Sequence, residues 1–162
     1  MKNLMNMLFA GVDILCRSLL VALSLSVLST VFGRYILNST PRWGEELALT
    51  LIVWLSLLAV PLGFRNGWHI RLDLLQRSLA PVGKRGLDGL NWILSFGMGI
   101  LFVWYGVKIA IQNLSNLMPG LGISAFWQYL SVPVSGVLIV IALAEIALTR
   151  TPETPVEGAP RK

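Results

Sequence analysis

The sequence contains few of the residues that support catalytic or metal chemistry. Among its 162 residues are one cysteine and one histidine, and only 13% of the residues are charged. A single cysteine cannot form a disulfide within the chain, and one Cys and one His cannot supply a metal cluster or the two axial histidines of a haem. The sequence also lacks a glycine-rich phosphate loop and a nucleophile motif. We therefore expect no enzyme activity, cofactor or metal site in this chain.

Charge is absent from several long stretches. Hydrophobic residues make up 55% of the chain, and the mean hydropathy is +0.71. A membrane-spanning helix needs about 20 mostly apolar residues, and in lipid only helices or closed barrels satisfy their own backbone hydrogen bonds. The uncharged stretches show no strand-like alternation. They predict four membrane spans, at about 14–34, 43–64, 88–108 and 126–148.

These spans predict an all-α integral membrane protein with one four-helix domain over residues 1–150 and a disordered cytoplasmic tail over 151–162. The first span could instead belong to a signal peptide. Asp13 and Arg17 interrupt what would be its apolar core, so we expect an uncleaved helix. The two charged residues lie four apart and can pair on one helix face.

The distribution of Lys and Arg predicts the orientation of the spans. Ten of these residues fall on the side that holds both termini and the middle loop, and three fall on the other side. Positive residues concentrate on the cytoplasmic side of membrane proteins. We therefore expect both termini in the cytoplasm, and we attribute the net charge of +5 to topology, not to nucleic-acid binding.

The middle loop, residues 69–85, contains leucines spaced three to five residues apart among charged residues. This pattern is typical of a short helix lying on the membrane surface. A cytoplasmic extension of the second span fits the same pattern, and the sequence leaves both open. His69 lies in this loop, and we interpret it as an interfacial or hydrogen-bonded residue, not as a ligand.

A few residues inside the spans are unusual. Trp54 lies in mid-span, away from the aromatic belt, so we expect it to pack against another helix. Pro61 and Pro133 are expected to kink their helices. Glu145 lies near the end of the last span, and we expect it to reach the cytoplasmic interface near Arg150.

The spans lack the central charges and broken helices that a self-sufficient transporter would need. The third and fourth spans instead contain small residues that allow helices to approach closely. These can pack within the chain or against another subunit, and the sequence leaves both open. They are Ser95, Gly97, Gly99, Ser131, Ser135 and Gly136.

Several short motifs follow one another in a specific order. They are Arg34-Tyr35, Trp43-x-Glu45-Glu46, Val53-Trp54-Leu55 and Gly67-x-His69-Ile70-Arg71-Leu72-Asp73, with a later Met118-Pro119-Gly120-Leu121-Gly122-Ile123 stretch before Trp127, Tyr129 and Pro133. In these motifs the chain resembles the small permease (Q) subunit of tripartite ATP-independent periplasmic (TRAP) transporters. The acidic pair and the His-Ile-x-x-Asp run are the most specific elements. Trp68 and Leu72 depart from the residues that are usual in that family.

The resemblance implies a four-helix subunit of the bacterial inner membrane with both termini in the cytoplasm. It implies association with a large permease (M) subunit, which carries the substrate and sodium sites, and with a periplasmic substrate-binding protein that delivers an organic acid. Uptake would be driven by an ion gradient, usually sodium, without ATP. The small subunit would act as a scaffold in contact with membrane lipid and would help form the docking surface.

The acidic pair opens the second span, where Thr40 can cap the helix and Pro41 suits its first position. Successive helical residues point about 100° apart, so one glutamate can pair with Arg34 while the other faces a partner. Dipole stabilisation of a solvated helix start is the simpler explanation. With the resemblance, the predicted partner-interface residues are Arg34, Tyr35, Trp43, Glu45, Glu46, His69 and Asp73.

Two other functions would require features that differ from these. A membrane-anchor subunit of a redox enzyme complex would be expected to carry paired histidines within its spans if it held a haem. A small efflux pump would need a carboxylate at the centre of its first spans. The sequence has neither feature.

Overall fold

The computed structural model describes residues 2–39, 41–65 and 81–149. Within these ranges the chain is helical and contains no strand. The helices are α1 (Lys2–Tyr35), α2 (Arg42–Arg65), α3 (Pro81–Gln112), α4 (Phe126–Tyr129) and α5 (Ser131–Thr149).

Four helical segments are long and apolar enough to cross a membrane. They are Met5–Tyr35, Arg42–Arg65, Gly89–Gln112 and Phe126–Ala147. The last segment includes α4 and most of α5. The predicted all-α fold with four candidate spans is confirmed.

Two helices begin well before the predicted spans. α1 starts at Lys2, and Asp13 and Arg17 form the predicted ion pair on its surface, so these charges do not interrupt the helix. α3 starts at Pro81, a residue suited to a first helical turn. Residues 81–85, the last part of the middle loop, therefore belong to the helix of the third span and do not extend the second span. The rest of that loop and the predicted disordered tail lie outside the described residues.

The helices form an open row. α1 packs mainly on α2, α2 on α5 and α5 on α3, while the short α4 lies where α3 connects to α5. This order leaves α1 and α3 at the two edges. Only 11% of the most apolar stretch of α1 is buried, against 44% for the span that contains α5. Lipid or another subunit must therefore cover much of the apolar surface.

The hydrophobic core lies where α1, α2 and α5 meet. It is formed by the buried side chains of Cys16, Leu58 and Leu138, and Trp54 packs against them. The Trp54 indole also donates a hydrogen bond to the carbonyl of Trp127 at 3.0 Å. The prediction that Trp54 packs against another helix is confirmed.

Glycines bring α3 and α5 close together. A Cβ on Gly136 would lie 2.8 Å from the carbonyl oxygen of Gly99, and a Cβ on Gly106 would lie 2.8 Å from the Pro133 ring. Close backbone approach of this kind is the usual role of small residues in membrane helices. Gly97 is different, because a Cβ there would meet nothing within 4 Å. Most of this small-residue surface therefore serves packing within the chain.

Candidate functional site

The structure brings together the predicted interface residues that it describes. They lie where α1 ends and α2 begins, which we call the Glu46 end of the helix row: Arg34, Tyr35, Trp43, Glu45 and Glu46. His69 and Asp73 lie outside the described residues. All members of the described group are exposed except Glu46, which is half-buried.

A tight turn connects α1 to α2 at this end. The Ser39 N–H donates to the Gly33 carbonyl at 3.0 Å, and Asn38 adopts a left-handed φ of 46°, which asparagine tolerates better than most residues. A Cβ on Gly33 would lie 2.9 Å from the Ser39 carbonyl oxygen, so the turn requires a glycine there. α2 begins at Arg42, one residue after the predicted Pro41, and the proposed cap Thr40 lies outside the described residues.

The Glu46 carboxylate binds another part of the same chain. Its Oε2 atom accepts hydrogen bonds from the backbone N–H groups of Gly120 and Leu121, both at 2.9 Å. Hydrogen bonds to an ionised acceptor are stronger than neutral ones. Glu46 therefore holds the connection between α3 and α4 against the start of α2.

The predicted pair between Arg34 and a glutamate is not found. Within the described residues the ion pairs are Asp13–Arg17 and Arg65–Glu145. Glu46 faces the α3–α4 connection, whose backbone amides occupy its carboxylate, while Arg34 is exposed at the end of α1. Glu45 remains the exposed member of the acidic pair.

The α3–α4 connection, residues 113–125, is itself folded. The Met118 N–H donates to the Ile123 carbonyl at 2.9 Å, and Gly122 closes the turn with a φ of 68°. The Met118 side chain is buried, with its sulfur 4.0 Å from the Thr50 hydroxyl of α2. This connection therefore rests on α2 through a side chain as well as through Glu46.

Gly120 allows the closest approach between the connection and α2. A Cβ at this position would collide with the Arg42 carbonyl and would lie 3.0 Å from the Glu46 carboxylate. Pro119 and Gly120 belong to one of the motifs that resemble the family, but the sequence gives no sign of the contact between Gly120 and Glu46. The contact joins residues 74 positions apart, and no local pattern indicates it.

A shallow cleft of about 360 Å³ opens beside this contact. It is lined by both glutamates of the acidic pair and an arginine, and its residues are Pro41, Arg42, Glu45, Glu46, Pro119 and Gly120. Small-molecule sites are usually enclosed and mostly apolar. An open cleft that carries both signs of charge is better suited to polar contacts with another protein.

The opposite end of the row contains a second polar cluster. Arg65, at the end of α2, donates to Glu145 of α5 at 3.1 Å and to the side-chain oxygen of Asn6 of α1. Its guanidinium lies 4.7 Å from the centre of the Phe9 ring. Arg150, near which we expect Glu145 to reach the interface, lies outside the described residues. The pair with Arg65, which lies 80 positions away, is not indicated by any local pattern in the sequence.

Comparison with known proteins identifies the family of the chain. Residues 23–152 match the family model for the DctQ component of tripartite ATP-independent periplasmic transporters. A putative TRAP transporter small permease protein of Haemophilus influenzae is 29% identical over 140 residues, which cover 86% of each chain.

Two further relatives are named for sialic acid. The small permease protein SiaQ of the Vibrio cholerae sialic acid TRAP transporter is 28% identical over 132 residues, covering 78% of this chain and 73% of SiaQ. The permease protein SiaT of the Haemophilus influenzae sialic acid TRAP transporter is 24% identical over 123 residues, covering 75% of this chain but 20% of SiaT.

The family match covers all four candidate spans except the first part of α1. It supports a multi-pass protein of the inner membrane and a transporter component, not an enzyme. The redox-anchor hypothesis finds no support in these comparisons. The chain belongs to the DctQ family and is a small permease subunit of a TRAP transporter.

Proposed function

We propose that this chain is the scaffold on which a large TRAP permease (M) subunit is held in the membrane. We further propose that its Glu46 end faces the periplasm and helps to dock a substrate-binding protein. Uptake of an organic acid, driven by a sodium gradient, then takes place in the large subunit. Two relatives named for sialic acid support this substrate class.

The open row of helices is the observation that carries the scaffold proposal. In a closed bundle every helix packs its inner face on two neighbours, whereas α1 lies at an edge of this row, and the stretches that represent α1 and α2 are each only 11% buried. In SiaT, the part similar to this chain is about a fifth of the protein, so there it belongs to a longer permease polypeptide. A separate small subunit would make the equivalent contacts across a subunit interface.

The docking proposal rests on the surface of the Glu46 end. Tyr35 is 77% exposed and Trp43 41% exposed, and aromatic residues are enriched at protein interfaces. They lie on α1 and α2 beside a connection that Glu46 holds in place. Because Glu46 is used within the chain, Glu45 is the glutamate that remains for a partner.

The test is uptake by the complete transporter in liposomes with a sodium gradient and added binding protein. We expect the Glu45→Lys and Trp43→Ala variants to copurify with the large permease but to show lower uptake. The main change should be a higher concentration of binding protein at half-maximal uptake. Ser115→Lys adds a charge at the same end outside the cleft, and uptake should stay at the parent level. If Glu45→Lys and Trp43→Ala both transport like the parent, this end does not dock the binding protein.

The scaffold proposal has its own measurement. The chain reconstituted alone should give no sodium-driven uptake of an organic acid, and it should copurify with the large permease when the two are expressed together. Uptake by the chain alone would contradict the scaffold role, as would a large permease that is purified and active without it.

A further inference from the structure

An apolar groove runs along the open face between α3 and α5. It has a volume of about 310 Å³ and is lined entirely by aliphatic and aromatic residues: Ile100, Val103, Trp104, Val137, Val140 and Ile141. All of them lie inside the candidate spans Gly89–Gln112 and Phe126–Ala147. The groove therefore opens toward the hydrocarbon region of the bilayer, and its occupant must be apolar at this depth.

The lining of the groove fits a flexible chain better than a helix. Helices that dock in membranes use small residues to bring their backbones together. On α3 and α5 those residues, Gly99, Gly106 and Gly136, are already used in the contact between the two helices. The groove is lined instead by branched side chains and a tryptophan, whose uneven surface a rigid helix would fill poorly.

A positive charge lies at one end of the groove. Lys108 follows Trp104 by one helical turn, and its Nζ lies 5.2 Å from the Trp104 ring centre and 5.8 Å from that of Tyr105. Cation–π contacts of this kind hold an ammonium group in place. Lys108 has no ion-pair partner within the described part of the chain. It lies in the last turns of the span, where headgroups meet side chains that extend toward water.

We propose that this groove is a binding site for an anionic phospholipid of the phosphatidylglycerol class. One acyl chain lies along α3 and α5, and the phosphate contacts the ammonium of Lys108. The apolar lining supplies affinity for the chain, and the charge of Lys108 favours an anionic lipid over a zwitterionic one. The site is part of the membrane domain itself and does not depend on the docking proposal.

The test uses the purified full chain in detergent, with dioleoylphosphatidylglycerol or dioleoylphosphatidylcholine added and bound lipid counted by native mass spectrometry. Lys108→Gln should weaken phosphatidylglycerol binding about fivefold, since one basic residue near a membrane surface contributes on the order of 1 kcal/mol to anionic lipid binding. Lys108→Arg should bind like the parent. Val137→Trp fills the groove and should lose both lipids.

Two matched control variants distinguish lipid binding in this groove from the effect of losing a positive charge or adding a tryptophan elsewhere in the chain. Arg42→Gln removes an exposed cation from the Glu46 end, away from the groove, and Leu28→Trp adds an indole to the exposed face of α1. Both should bind phosphatidylglycerol like the parent. Helical content measured by circular dichroism should be the same in every variant, and Lys108→Gln tests the site even if Val137→Trp does not fold.

Parent-level phosphatidylglycerol binding by Lys108→Gln would overturn the proposal. The same result for a folded Val137→Trp would show that no acyl chain lies in the groove. If that variant also failed to copurify with the large permease, the groove would instead be assigned to a helix of that subunit.

Discussion

The Ser135 hydroxyl donates a 2.6 Å hydrogen bond to the carbonyl oxygen of Leu57. Leu57 lies four residues before Pro61, so its carbonyl is the one that loses its helical partner when proline replaces an N–H donor. Ser135 is fully buried and approaches from α5. In a membrane an unpaired carbonyl is costly, and this serine supplies the missing donor while it joins α2 to α5.

This relationship predicts that Ser135→Ala destabilises the chain by about 1 kcal/mol, in the range measured for hydrogen bonds between membrane helices. The cost should depend on Pro61. In a Pro61→Ala background the Leu57 carbonyl regains its own helical donor, and Ser135→Ala should then cost almost nothing. Equilibrium unfolding in mixed detergent micelles, run as a double-mutant cycle, measures the difference. An equal cost in both backgrounds would show that Ser135 does not act through this carbonyl.

The secondary structure could be predicted from sequence because charge and hydropathy mark the spans directly. The second span illustrates this, since residues 47–64 carry no charge and α2 runs over Arg42–Arg65. The helix of the first predicted span, 14–34, extends back to Lys2 through two charged residues, Asp13 and Arg17. Their one-turn spacing lets them pair on the helix surface, so the helix continues past them.

The candidate site could be predicted only in part. The motifs and the local pattern place Arg34, Trp43, Glu45 and Glu46 near the start of the second span, and the structure shows them where α1 ends and α2 begins. Their role at a partner interface stays a prediction. The partner of Glu46 is not predicted by these motifs, because its donors are backbone amides of a distant connection, and every residue type except proline would supply the same N–H at position 121. The order of the helices in the row also depends on contacts between residues that are far apart in the sequence. The hydropathy pattern along the chain does not indicate which helices make these contacts.

The role of Glu46 predicts a local loss of order when its carboxylate is removed. Glu46→Ala should speed hydrogen exchange of the Gly120 and Leu121 amides, since both lose their acceptor. The two bonds share one ionised oxygen at a half-buried site, so we expect a cost of about 1.5–3 kcal/mol, the range for hydrogen bonds to charged groups. Exchange of the 113–125 peptides, followed by mass spectrometry, measures this effect.

Glu45→Ala is the matched control, because it removes the neighbouring carboxylate, which is exposed. Exchange in residues 113–125 should be the same as in the parent. Gly120→Ala should act like Glu46→Ala, because its Cβ collides with the Arg42 carbonyl and forces the connection away from α2. Faster exchange in Glu45→Ala than in Glu46→Ala would reverse the assigned roles of the two glutamates.

The orientation of the chain is predicted from its charge distribution. Ten Lys and Arg residues lie on the side of the termini and three on the other side, which favours cytoplasmic termini. Reporter fusions at Lys162 and within 76–84 should report the cytoplasm, and fusions near Asn38 or Met118 should report the periplasm. Reversal at any of these positions would contradict the four-span topology and would place the Glu46 end in the cytoplasm.

The two ion pairs in the described residues should differ in their contribution to stability. Arg65 and Glu145 keep 23% and 16% of their side-chain surface exposed, whereas Arg17 and Asp13 keep 77% and 44%. Exposed pairs contribute about 0–1 kcal/mol, so Arg17→Met should change the free energy of unfolding little. Arg65→Met removes the charge beside Glu145, the bond to Asn6 and the contact with Phe9.

Breaking a buried pair costs about 3–5 kcal/mol, and the partial exposure of Arg65 and Glu145 lowers our expectation for Arg65→Met to about 2–3 kcal/mol. Unfolding in mixed detergent micelles, with both variants measured beside the parent, provides the comparison. Because Arg65 joins α1, α2 and α5, its loss should also make the first turns of α1 more accessible to protease. An equal and small effect of the two substitutions would show that the Arg65 cluster does not fasten these helices together.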